Sequence, residues 1–342
     1  MKERSSRVSV RLVAVVAAIG AAGCGSISGQ GSHDDGGSST GGAGTGGAPG
    51  SGGAGGIIGG SGGGAVGGGS GGGTGGAGGA SICARWKADR ADLAEGTWSG
   101  NLAACTAGDV TSAGRATALR QVNLFRFIAG LPPVTNDATK DQQAQACALM
   151  QDANNMLSHT PPTSWTCYTD VGATAAGQSN IATTAGVRAI GLYMTDRGNE
   201  TTIGHRRWIL SNSLGPIGLG STSGYSCLLV IGGNGDAGKA YTAWPPPGDV
   251  PLQALNLEGA VDSVGWSLHS DMINLAGAQV AVTDAGTNRP VTTTQLPANY
   301  GSRYAISFVP VGWTVAAGHT YDVSVTGSAM PIRYSVNVVS CP

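Results

Sequence analysis

Seven cysteines and five histidines are the residues best equipped for chemistry in this 342-residue chain. A neutral imidazole can ligate a metal or take a proton near neutral pH, and a cysteine can hold zinc or form a disulfide. Cys24 stands apart, directly behind Ala21, Ala22 and Gly23. The other six are Cys83, Cys105, Cys147, Cys167, Cys227 and Cys341. An even set in an exported chain reads as three disulfides, and no C-x-x-C pair supports zinc instead. Sequence alone leaves the pairing open. Neighbourhood favours Cys83–Cys105, Cys147–Cys167 and Cys227–Cys341, the last tying together the ends of a C-terminal domain. Of the histidines, His33 falls in a glycine tract and His159 and His205 lie mid-chain. His269 and His319 follow in a stretch where surface positions are expected.

Two glycine motifs imitate active sites. Gly59-Gly60-Ser61-Gly62-Gly63 matches the nucleophile elbow of serine hydrolases, but the tract around it offers no strand or helix to strain the serine. Gly233-Asn234-Gly235-Asp236-Ala237-Gly238-Lys239 fits a dinucleotide loop and most of a P-loop. Its magnesium-binding hydroxyl is replaced by Ala240, and three prolines follow where a phosphate-binding helix should start. A glycine-rich turn is the better reading, and no nucleotide is expected.

The elements that position these groups fall into distinct zones. Lys2, Arg4 and Arg7 precede an apolar run from Leu12 to Ala22. That run is shorter than the ~20 residues of a membrane-spanning helix and has the form of a signal peptide. Residues 1–24 resemble a bacterial lipoprotein signal ending at a lipobox cysteine, with Ala21 where leucine is usual. The resemblance implies lipidation of Cys24 and anchoring to the cell envelope, at an outer membrane or cell surface. Residues 25–80 are almost wholly Gly, Ser, Ala and Thr, too polar and small to offset the entropy of ordering. Such a linker is expected to be disordered, with an end-to-end distance of roughly 40 Å.

Beyond the linker the period changes midway. Leu119, Val122, Phe125 and Ile128 form a helical stripe that Gly130 and Pro132-Pro133 end. A second helix is expected from Asn136 or Asp137 to about Leu157, and a third from Val187 to Met194. After Cys227 the alternation is two. Tyr304, Ile306 and Phe308 show it, as do Tyr321, Val323 and Val325, and Ile332, Tyr334, Val336 and Val338. The fold class is therefore α+β, with a mixed domain over 81–226 and a small β-sandwich-like domain over 227–342. The net charge of -1, without a basic cluster, argues against nucleic acid as a partner.

Five short motifs occur in one order: Leu119-Arg120-Gln121-Val122-Asn123 with Arg126, Leu157-Ser158-His159, Asn180-Ile181, Gly204-His205-Arg206, and Ile217-Gly218-Leu219-Gly220. Together they resemble the CAP superfamily of cysteine-rich secretory proteins, or SCP-like domains, over about residues 115–222. The resemblance implies an α-β-α sandwich in which two histidines and two acids line a cleft. His159 and His205 match the histidines, and Asp196, three residues after Tyr193, matches one acid. The other acid belongs where Gly177-Gln178-Ser179-Asn180-Ile181 stands, and no carboxylate is present there.

Three functions are carried forward. The favoured one is a non-enzymatic module, membrane-anchored through Cys24, that recognises a lipid, a sterol or an envelope component. The second is a divalent-metal-dependent hydrolase of peptides or envelope polymers, with zinc held by His159, Asp196 and His205. Its weakness is the lack of an evident general base; Glu200 is the nearest candidate. The third is a structural surface protein.

Overall fold

Helix α2 (Ser112–Ile128) buries Val122, Phe125 and Ile128 of the stripe its periodicity predicts, with Leu119 half-buried and Leu124 buried as well. The computed structural model describes residues 79–257 and 261–342. The signal segment, Cys24, His33 and the glycine tract to residue 78 lie outside the described residues. Around α2 stand α1 (Gly79–Arg90), α3 (Ala138–Ala153), α4 (Asp170–Gly177), α5 (Gly186–Thr195) and α6 (Gly204–Ile209). Strands β1 (Ser179–Ala182), β2 (Gly218–Ser221) and β3 (Ser226–Leu229) form an antiparallel sheet in the order β1-β3-β2. Helices α3 and α4 cover one face, and α2 and α5 the other. This is the expected α-β-α sandwich.

Local chemistry explains the close fit. Asp137 caps α3 by accepting from Lys140 N at 2.9 Å. One turn on, Asp141 Oδ1 accepts from Leu219 N at 2.8 Å. Gln145 then bonds both backbone groups of Ser221, at 3.0 and 2.9 Å. The outer edge of β2 is thus paired by side chains of a helix, which removes an exposed strand edge. Such proximity requires glycine: a Cβ at Gly220 would lie 2.1 Å from the Ala144 carbonyl carbon of α3. The motif residues of α2 are latches too. Asn123 holds Val134 by both backbone groups, at 2.8 and 2.9 Å, fixing the crossing after Pro132-Pro133.

The last part of the chain forms two further sheets. Strands β4 (Thr242–Trp244), β6 (Trp266–Ser270), β9 (Val291–Leu296) and β10 (Tyr304–Pro310) make one, in the order β4-β6-β10-β9. The second contains β5 (Gly248–Pro251), β7 (Gln279–Asp284), β8 (Thr287–Arg289), β11 (Thr320–Thr326) and β12 (Ile332–Val339), in the order β5-β12-β11-β7-β8. Between the sheets, Trp266 of β6 meets Tyr321 of β11 edge-on at 5.7 Å. The core continues into the helices: Trp86 of α1, Phe125 of α2 and Trp244 of β4 pack edge to face, with ring centroids 6.3 and 5.9 Å apart.

Several expectations need correction. The three disulfides form, but as Cys83–Cys341, Cys105–Cys167 and Cys147–Cys227. Helix α1 packs on β5, beside the strand that leads to Cys341, and β3 lies under α3, so sequence neighbours are not spatial ones. Cys227 belongs to the central strand of the first sheet, so the mixed part extends through Leu229 and a border at 226/227 would cut β3. Helix α3 stops at Ala153 instead of Leu157, because Asn154 turns its side chain to both backbone groups of Thr166. His269 is buried at 3% exposure, not on the surface, whereas His319 is exposed.

Candidate functional site

Helix α5 ends at Asp196, which adopts left-handed backbone geometry with φ of 56°. That turn folds its carboxylate back towards the start of α6, where it is buried. Oδ1 lies 2.7 Å from His205 Nδ1 and accepts from Asn199 Nδ2 at 3.1 Å, while Oδ2 accepts from Arg206 N at 3.2 Å. With the carboxylate as acceptor, His205 donates from Nδ1 and presents an unprotonated Nε2 when neutral. The imidazole is further framed by Tyr193, whose ring centroid is 5.2 Å away. Tyr193 is anchored by donating to Asn180 O at 3.0 Å, and Asn180 Nδ2 donates to His205 O at 3.1 Å. Strand β1, helix α5 and helix α6 are thereby tied together at one histidine.

His159 comes from the loop after α3. Its Nδ1 donates to Ala176 O of α4 at 2.8 Å, which again leaves Nε2 as the acceptor. Crowding by surrounding protein lowers its pKa although one edge of the ring meets solvent. The hydrogen bond to Ala176 acts in the opposite direction, and the charge of a protonated His205 lowers the pKa further. The two imidazoles are therefore close enough to sense one another.

The match to known proteins rests on the same segment. Residues 119–230 match the family model of the cysteine-rich secretory protein family, CAP. The chain contains a CAP domain. No curated protein and no solved structure matches the chain. The CAP match runs from α2 through β3, which agrees with the strand that closes the α-β-α sandwich.

Within the CAP domain the predicted site residues are only partly united. Asp196 and His205 form a hydrogen-bonded pair, and His159 bonds separately to Ala176 of α4. Among the described residues, no group of three or more His, Cys, Asp and Glu side chains stands ready to hold a metal ion. The donor set explains this: both Asp196 oxygens are engaged with His205, Asn199 and Arg206. Asp196 bonds the Nδ1 side of His205, the position of a carboxylate that orients a histidine ring. Glu200 is exposed and accepts from Gly198 N at 2.8 Å within its own loop.

Gln178 caps α4, and its carbonyl accepts from Val230 N and Ile231 N at 3.0 and 3.2 Å. Ser179 is buried, with Oγ unpartnered. No acid stands at either position. Tyr193 and Asn180 are the residues whose roles the sequence did not reveal: each serves through long-range hydrogen bonds. An apolar cavity between α2, α5 and the sheet, lined by Ala118, Val187, Ile190 and Leu228, measures about 20 Å³. That is room for about one water.

The three disulfides belong to an oxidising compartment. Together with the CAP domain they indicate an extracellular or secreted protein. No helix among the described residues is long and apolar enough to cross a membrane.

Proposed function

We propose that this is a non-enzymatic recognition module, carried at the cell envelope by a lipid on Cys24 and a glycine linker. Its CAP cleft would contact an envelope component, a lipid or a sterol. The observation that carries the reading is the state of Asp196. Its carboxylate is spent on orienting His205, which leaves no free acid beside that imidazole to activate water. Hydrogen bonding through two preset Nε2 atoms suits a ligand that offers hydroxyl or amide donors, such as a sterol hydroxyl or an envelope polymer. The anchoring part rests on the signal-like start and on Cys24.

Binding of the purified protein to sterol-containing vesicles and to isolated envelope polymer tests the cleft, with His159→Ala and His205→Ala alongside. Retention on one of these that weakens in both variants is the expected result. Equal binding by wild type and both variants would remove the cleft from recognition. Mass spectrometry of the mature N-terminus tests the anchor, where a diacyl-modified Cys24 is expected. An unmodified start elsewhere would end that part of the proposal.

A further inference from the structure

A cleft of about 240 Å³, which neither His159 nor His205 lines, opens between Arg126 at the end of α2, the Pro132–Thr135 crossing and the loop at Asp236. Arg126 is 1% exposed. It donates from Nε to Pro132 O at 2.9 Å, and from Nη1 to Ile209 O and Ser211 O at 2.8 and 3.0 Å. These partners are neutral carbonyls. Among the described residues the guanidinium forms no ion pair, and Nη2 has no partner. Burial pushes its pKa down to about 10, with no carboxylate raising it again. At neutral pH the cation persists, at the floor of an open cleft. A buried, uncompensated charge is costly unless something pairs with it.

The opposite wall carries one carboxylate. Asp236 Oδ1 accepts from Asn212 Nδ2 at 3.2 Å and from Gly238 N at 2.8 Å. Oδ2 has no partner among the described residues. Both walls are held from behind. Asn212 Oδ1 also accepts from Lys239 N at 2.9 Å, and a Cβ at Gly235 would lie 2.1 Å from Leu214 O. Asn123 fixes the other wall through Val134. A cleft formed in advance loses little ordering entropy on binding.

We propose that this cleft binds a small zwitterion, an amino acid or a peptide end. Its carboxylate pairs with Arg126 Nη2 and its protonated amine faces Asp236 Oδ2. Guanidinium and carboxylate form charge-assisted hydrogen bonds, about twice as strong as neutral ones. The glycine-rich turn at 233–239 thus acquires a role in shaping one wall, with no phosphate involved.

Ligand-observed NMR on the full-length protein tests this with glycine, glycylglycine, acetate and ethylamine as probes. Glycine and glycylglycine should bind, acetate more weakly, and ethylamine not at all. Thr135 is exposed at the cleft and its side chain has no hydrogen-bond partner among the described residues, so Thr135→Trp blocks the cleft without removing an Arg126 contact. It should weaken glycine by about tenfold or more, a change of ~1.4 kcal/mol, with the circular dichroism spectrum unchanged. Asp236→Asn should abolish the preference for glycine over acetate. Absence of carboxylate binding to the folded wild type would overturn the proposal. So would binding that Thr135→Trp leaves intact, or a glycine preference that survives Asp236→Asn.

Discussion

Arg206 Nη1 donates to Gly265 O at 2.9 Å, which bonds the residue after the cleft histidine directly to the residue before β6 of the β-sandwich. The same guanidinium donates to Met194 O at 2.7 Å and to Thr195 O at 3.2 Å, so it closes the end of α5 as well. Arg207 repeats the device one residue on, donating to Pro297 O at 2.8 Å and to Ser302 O at 3.2 Å. The sandwich is thus attached to the CAP domain through the helix that carries His205.

Removing that attachment should be costly. Arg206→Ala leaves three or more buried carbonyls without donors, each worth roughly 1–3 kcal/mol. The expected loss is at least about 3 kcal/mol, read by urea denaturation of the folded protein. A loss below 1 kcal/mol would mean that water replaces the guanidinium freely.

Gly220→Ala should destabilise by forcing a methyl group onto the backbone of α3. The new methyl would sit 2.1 Å from the Ala144 carbonyl carbon, on helix backbone that cannot rotate away. Overpacking of this kind costs about 1–3 kcal/mol, and here α3 must also leave the β2 edge. Thermal melts of Gly220→Ala and Gly232→Ala separate the effects, because nothing lies within 4 Å of a Cβ at Gly232, although its φ of +81° is itself unfavourable to alanine.

Disulfide mapping under non-reducing conditions should recover Cys83–Cys341, Cys105–Cys167 and Cys147–Cys227, with no free thiol among these six. Cys83–Cys341 spans 258 residues and so encloses the whole described body. In the chain-entropy picture its removal costs about 5 kcal/mol. The double variant Cys83→Ser, Cys341→Ser should therefore melt far below wild type. Recovery of a Cys83–Cys105 peptide would contradict the fold at α1.

Acid should weaken the fold through His269. Its ring is buried in β6 with Nε2 donating to Leu210 O at 3.2 Å and Nδ1 unpartnered. Burial, with Arg207 and Arg206 nearby, pushes its pKa down to about 3 from 6.5. Below pH 6.5 the unfolded chain takes a proton that the folded chain refuses until about pH 3. Stability therefore falls as pH drops through that window, by about 1.4 kcal/mol per unit for this group. His269→Gln should flatten the dependence of the denaturation midpoint between pH 6 and 4, within roughly that slope. A profile identical to wild type would show that His269 does not govern it.

The sequence by itself determined the periodic parts and the types of bond. Helix α2, a cap for α3 at Asn136 or Asp137, the alternating strands β11 and β12, and three disulfides among six cysteines were all legible. Each depends on residues a few positions apart, or on residue type alone. The His159, Asp196 and His205 set was legible only through the order of short motifs, because nothing in their spacing along the chain forces them together. Tertiary structure decided the rest. It paired Cys83 with Cys341, buried His269 against Leu210, and turned Asp196 inward to His205. It also took β3 into the first sheet and fused the two parts through Arg206 and Arg207. The physical reason is common to all of these. Periodicity reports which face of an element is buried, but a side chain bonding to a distant carbonyl depends on how whole elements pack, and packing brings together residues that no local pattern relates.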